Sequence, residues 1–429
     1  MKKILTVLAL FLSVYTLEAQ DNISPAKPYA GITFIRNGTV HTGTGTVLQN
    51  TSIEIRNGKI ERIGTDLSAP ADARVMDATG MQVYPGFILS DCNIGLREMA
   101  NQVKGTDDYR ELGDLNPSVR SIVAYNTDSK IINTLRSNGI LLAGVSPRGS
   151  MITGTSSVVQ FDAWNWEDAA YKKDNGLHFY MPSLLARPNR NGEVQGDAQK
   201  IAQDRIESVK QFFREAKAYH AETVHNITNL KLEAVKGLFD RSQRLFIHCN
   251  IVKEMLTAID FVKEFGFDVT VIGGSESWQI APLLKQNNIS VILLQMHQLP
   301  VSVDDDIDQP FKTPAVLQRA GVLYAITDGH EESTGRNLMF NAGTAAAYGL
   351  TKEEALQAIT LNAANILGIA DRTGSIEAGK DANIIISTGD VLDMRTNNIV
   401  KAYIQGRDID LNDKHKELYK KYSEKYGVK

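Results

Sequence analysis

The sequence predicts an α/β protein: a closed (β/α)8 barrel with a small sheet domain to which both chain ends contribute. Three observations point there. Residues 31–84 read as short strands broken by turn pairs; after Pro85-Gly86, strand-like apolar runs alternate with helical runs; and beyond Gly374 strands return, too few to stand alone. Strand–helix alternation implies parallel strands joined by crossover helices. A barrel of about 250 residues fits within 429 and leaves room for a second unit. A doubly wound sheet is the other solution, but no GxGxxG follows a strand, which argues against a dinucleotide site.

The elements follow in order. Lys2 and Lys3 precede the apolar run Ile4 to Leu12, and Ala19 is a small residue placed for cleavage, so residues 1–19 read as a secretory signal peptide. Glu18 cuts the run short of the roughly 20 apolar residues that a spanning helix needs. The expected location is therefore periplasmic or secreted. Residues 21–30 form a polar arm. In 31–84, Asn37-Gly38 and Asn57-Gly58 follow β-patterned runs, the strongest short hairpin signal. Barrel-strand candidates are Gly139–Val145, Arg244–His248, Asp268–Gly273, Ser290–Leu294 and Val322–Asp328. Thr351-Lys352-Glu353-Glu354 is a capping box opening a helix. Strands recur at Asn383–Ser387 and Val400–Ile404. In 411–429 the spacing of Leu411, Leu418, Tyr422 and Tyr426 predicts an amphipathic helix docked on the body.

Composition narrows the function classes. The chain is 43% hydrophobic and 22% charged with net charge −4, which excludes collagen-like, disordered and disulfide-framework classes. Nothing resembles the basic footprint of a nucleic-acid binder. Two cysteines allow at most one bridge, and eight histidines suffice for a metal site.

Four stretches together resemble the amidohydrolase superfamily, in its imidazolonepropionase/prolidase-like branch: Asn57–Gly64, Val83–Ile88, Thr360–Gly368 and Gly374–Asn383. The resemblance covers nearly all of residues 20–429. It implies a metal-dependent (β/α)8 TIM barrel, residues 85–374, with a small β-sandwich composed of 31–84 plus 375–410. It also implies hydrolysis of C–N bonds in non-peptide amides, cyclic or linear, on a small-molecule substrate.

The family's HxH pair at the first barrel strand places two imidazoles on one strand face, because residues two apart point the same way. Here that stretch reads Asp91-Cys92-Asn93, and the sixth-strand position reads Gly273-Gly274-Ser275-Glu276. No strand-end lysine stands ready to bridge two metals. His248 matches the fifth-strand histidine and Asp328 the eighth-strand aspartate. The resemblance thus implies a reduced site with one divalent ion at most, zinc being expected. Its ligands come from His248, Asp328, His297 and His330, assisted by Asp91 or Glu276. Asp328 would be general base, since three protein ligands plus a water are the minimum for a hydrolytic zinc. The rival reading is a catalytically inactive protein of this fold that binds a small ligand or a partner subunit, either a homo-oligomer or a related amidohydrolase chain.

Other residues take blander readings. His41, His178, His220, His225 and His415 lie away from the strand ends assigned above. Asp304 to Asp308 reads as a solvated loop rather than a calcium site. Arg148-Gly149-Ser150 and Gly154-Thr155-Ser156-Ser157 read as turns, able to approach a substrate anion. If Asp91, Asn93 and His248 face the lumen, alternation turns Cys92 and Cys249 away as two unpaired, buried thiols.

Overall fold

A computed structural model describes residues 24–98, 109–185, 197–222, 224–294, 296–328 and 334–428. The leader, residues 1–19, lies outside the described residues.

The first sheet draws on both chain ends. Its strands are β1 (Ile32–His41), β2 (Val47–Arg56), β3 (Lys59–Gly64), β4 (Arg74–Asp77) and β5 (Gln82–Pro85). The barrel sheet then intervenes before β14 (Ile384–Ser387), β15 (Ile399–Ile404) and β16 (Arg407–Asp408) complete it. The spatial order is β16-β15-β14-β5-β1-β2-β3, with β4 beside β1. The β5–β14 ladder, from Ile384 opposite Pro85 to Ser387 opposite Gln82, is where the two ends meet. Asn57 and Gly58 both take positive φ, 51° and 78°, as the tight hairpin between β2 and β3 requires. Asn37-Gly38 is no hairpin. Strand β1 runs through it, and the register with β2 shifts on either side of Gly38, so the pair forms a bulge. The reversal falls later, in residues 42–46, because pairing with β2 continues out to His41 opposite Val47.

The barrel sheet comprises β6 (Phe87–Cys92), β7 (Ile140–Val145), β8 (Ile152–Gln160), β9 (Ala170–Tyr180), β10 (Arg244–Cys249), β11 (Val269–Gly273), β12 (Ser290–Leu293) and β13 (Tyr324–Ile326), paired in sequence order. It is nearly closed. The Asp91 backbone meets the Thr327 hydroxyl beyond β13, its N–H donating to Oγ1 and its carbonyl accepting, each at 3.4 Å.

Strict alternation fails at one place. Strand β8 runs antiparallel to both β7 and β9, whereas the remaining neighbours are parallel. Residues 146–151 are too short for the crossover of a dozen or more residues that a parallel partner needs, so the chain must reverse. The stretch Gly154 to Ser157 is accordingly buried β8, not a turn.

The helices include α1 (Lys130–Ser137), α2 (Val252–Phe265), α3 (Leu338–Ala347) and α4 (Lys414–Tyr426). Helix α2 ends on Gly266 with φ 74°, a left-handed cap open to glycine without strain. Helix α4 is not docked as its spacing predicts. No residue in it is buried, and Tyr422 and Tyr426 are exposed. It is tied down at its start by Asp413, whose carboxylate accepts from His415 N and Lys416 N and from the Ser137 hydroxyl of α1.

Asp381 joins the two sheets. Its carboxylate accepts from Lys59 at 2.9 Å, Arg372 at 2.9 Å and the Tyr171 hydroxyl at 2.5 Å, residues that come from β3, from the chain after the barrel, and from β9.

Candidate metal centre

Strands β6, β9 and β10 build the site. Residue alternation puts His178 and Tyr180 on one face of β9, and the β9–β10 register sets His248 opposite Tyr180 and Phe246 opposite His178. Asp91, His178 and His248 converge, each offering one ligand atom, with those atoms all within 4.8 Å of one another. His178 Nδ1 and His248 Nε2 are 2.9 Å apart and share a hydrogen bond. The Tyr180 ring stacks on His248 at 3.8 Å between centroids, with planes 8° apart, which fixes the imidazole's orientation. His178 in turn stacks on Phe246 at 4.8 Å.

The carboxylate of Asp91 is fully buried. Its Oδ1 accepts from the Ser146 hydroxyl at 2.5 Å, and its Oδ2 lies 3.3 Å from Arg148 Nη2. Burial opposes ionisation, but the Arg148 guanidinium, joined by the two imidazoles and the Ser146 hydroxyl, outweighs it and holds the carboxyl down to about 2. Burial dominates at His178, reinforced by the Arg148 charge, and pulls its imidazole down to about 4, so the ring is neutral at physiological pH. Its Nε2 is buried without a hydrogen-bond partner.

The residues singled out in the sequence distribute unevenly. His248 and Asp91 are brought together. Asp328 sits just past β13, buried, and its Oδ2 accepts from Asn341 Nδ2 at 2.8 Å; Asn341 Oδ1 accepts from the Met296 backbone. His297 is exposed and bonds Thr344 Oγ1 at 2.9 Å, against the edge of Phe311. Glu276 caps α2, accepting from Val252 N at 2.8 Å, and this occupies it outside the cluster. His330 lies outside the described residues.

His178, set aside in the sequence as lying away from the strand ends, is the third member of the cluster. The signal is present in Gly176-Leu177-His178-Phe179-Tyr180, an apolar run with strand character that is not among the barrel-strand candidates above. Arg148, read as part of a turn, supplies the charge on Asp91. Cys92 and Cys249 are free and buried, as alternation predicts, and burial pushes the Cys92 thiol up to about 12.

Two imidazoles and one carboxylate form a donor set suited to a single zinc-like ion. The unpartnered Nε2 of His178 and the short spacing of the three ligand atoms fit one ion. Among the described residues no second such cluster exists for another.

Comparison with known proteins agrees with this frame. Residues 284–409 match the model of the Amidohydrolase family. The imidazolonepropionase of Thermoplasma volcanium is 24% identical over 351 residues, covering 79% of this chain and 84% of that protein. The imidazolonepropionase of Deinococcus radiodurans is 23% identical over 360 residues, with 80% and 86% covered. Among solved structures, an amidohydrolase from Thermotoga maritima MSB8 superposes with a TM-score of 0.76 at 25% identity, covering 88% of this chain and 99% of that one. Together the family match, the relatives and the solved structure support an amidohydrolase superfamily member. Members of that family are typically metal-dependent, and the Asp91–His178–His248 cluster is where this chain could hold an ion.

Proposed function

We propose that the chain is an exported hydrolase of C–N bonds in small non-peptide amides, cyclic or linear, working with one divalent ion. The convergence of Asp91, His178 and His248 at the carboxyl end of the barrel strands carries this reading, because barrels place their chemistry there. Zinc is the favoured ion for two imidazoles and a carboxylate. Export is supported by Lys2, Lys3 and the apolar run 4–12. No helix among the described residues is long and apolar enough to cross a membrane. The sheet built from both chain ends is read as the small β-sandwich that accompanies such barrels.

Asp91, His178 and His248 would hold the ion, and a bound ion supplies acidification of a water and polarisation of the amide carbonyl. The chain's own groups do the rest. The neutral His178 presents a lone pair at physiological pH. Stacking on Tyr180 keeps His248 from turning away. Asp328, oriented by Asn341, takes the proton from the attacking water and returns it to the departing nitrogen.

One observation favours the rival reading of a non-catalytic ligand-binding chain: the Asp91 carboxylate already has a counter-charge in Arg148. Elemental analysis of protein produced with Zn2+, paired with turnover of a panel of cyclic and linear amides, separates the two. About one ion per chain, lost in Asp91→Ala, His178→Ala and His248→Ala, is the expected result. Asp328→Asn should keep the ion and lose turnover by about 100-fold or more. Protein that takes up no Zn2+, Mn2+ or Co2+ would sink the hydrolytic reading.

A further inference from the structure

Arg148 comes from the six-residue connection that reverses the chain between β7 and β8. Its backbone N–H donates to Tyr109 O at 2.6 Å, which fixes where the side chain starts. The guanidinium then meets two side chains of the site. Nη1 donates to Tyr180 Oη at 2.7 Å, and Nη2 stands 3.3 Å from Asp91 Oδ2. Ser146 hydrogen-bonds Oδ1, whereas the buried Oδ2 makes no hydrogen bond and has the Arg148 charge beside it. Yet Asp91 is one of the three groups whose ligand atoms converge.

We propose that Arg148 is a resident cation that competes with a divalent ion for Asp91 and thereby sets how tightly this site binds metal. The inference rests on the single-ion reading given above.

Geometry supplies the physical argument. A guanidinium and a dication drawn to the same buried carboxylate repel one another, and in a site removed from bulk water that repulsion is poorly screened. For the ion to reach Oδ2, Arg148 must give way. It has somewhere to go: the side chain is 19% exposed, whereas Asp91 is sealed. It also has a second partner in Tyr180, whose ring stays against His248. Withdrawal from Asp91 therefore need not break the bond to Tyr180. Arg136, also buried, is held by the fixed Phe161 carbonyl and by Asn133 as well as by Asp162. Arg148 donates instead to the tyrosine that braces a ligand histidine and sets its charge beside the carboxylate that the ion needs. It acts through Asp91 and Tyr180 and is thus a positioning residue.

Isothermal titration of metal-stripped protein with Zn2+ alone, read as Kd and stoichiometry, tests this without reference to turnover. Arg148→Gln, which can still hydrogen-bond Tyr180, should bind Zn2+ at least about tenfold tighter than the wild type. Arg148→Met should do the same. Arg148→Lys keeps the charge and should stay within about threefold of the wild type. Should Arg148→Met fail to fold, Arg148→Gln decides the matter. Wild type that binds Zn2+ with Arg148→Gln no tighter overturns the competition and leaves the single-ion reading standing. No binding in wild type and in Arg148→Gln overturns both. Binding in the neutral variants that the wild type lacks establishes the competition outright.

Discussion

Two buried aspartate–arginine pairs lie on this barrel, and they are built to different ends. Asp162, just past β8, is locked from all sides. Arg136 reaches it at 3.1 Å and Arg407 at 3.4 Å, and the Ala26 backbone N–H donates to both oxygens at 3.2 Å. Arg136 is itself tied to Phe161 O and to Asn133. Asp91 has a hydroxyl and one guanidinium, with two imidazoles waiting beside it. The ionisation follows the surroundings. At Asp162 burial prevails over Arg407, the Ala26 N–H and Arg136, and raises the carboxyl; at Asp91 the Arg148 charge, with the two imidazoles and Ser146, prevails over burial. Saturation with fixed donors makes a joint, whereas a carboxylate with one movable partner makes a site.

The largest effect expected is at the joint. Asp162→Ala leaves the Arg136 guanidinium, 3% exposed, without its counter-charge and should cost about 3–5 kcal/mol in chemical denaturation, with no recovery on adding Zn2+. A loss under about 1 kcal/mol would erase the distinction between the two pairs.

Asp91→Ala should cost less, about 2 kcal/mol, because Arg148 keeps Tyr180 and some access to water. The two melting curves measured side by side check this ordering. Equal losses would mean that Asp91 is as much a structural joint as Asp162.

The smallest effect concerns a third pair, outside both arginine sites. Burial disfavours the charged form of His41, but its bonds to Glu353 at 2.7 Å and Gln82 at 3.0 Å outweigh that and raise its pKa above the ordinary value. A raised folded value means the stabilisation is complete below the unfolded pKa near 6.5 and is lost as pH rises through the folded value. Unfolding free energy measured across pH 6 to 9 should therefore fall by a few tenths to about 1 kcal/mol, and His41→Gln should flatten that slope. An unchanged slope in the variant would assign the pH dependence to other groups.

The legible part of the molecule is the part written in short-range pattern. The hairpin at Asn57-Gly58 and the capping box at Thr351 are local devices, and each is present. Placing His248 and Asp91 at strand ends needed only the period-two rule and a family frame. His178 stands on a strand absent from the sequence candidates, and nothing local says that β9 pairs with β10. His297 was singled out by its nearness to a strand exit; the turn that follows β12 instead carries it out to Thr344. For α4, apolar spacing marked a face but could not say whether any surface would receive it.

The sequence, together with the family resemblance it carries, determined the barrel with its two-ended sheet, the absence of the HxH pair, and the free cysteines, since these rest on alternation, turn chemistry and residue identity against that frame. Only the tertiary structure decided that β8 runs backwards, that His178 completes the cluster with Asp91 and His248, and that Arg148 sits on Asp91. The physical reason is common to all three. Strand direction, register and the partner of a buried charge are settled by groups dozens of residues apart, whose encounter depends on how the whole sheet closes.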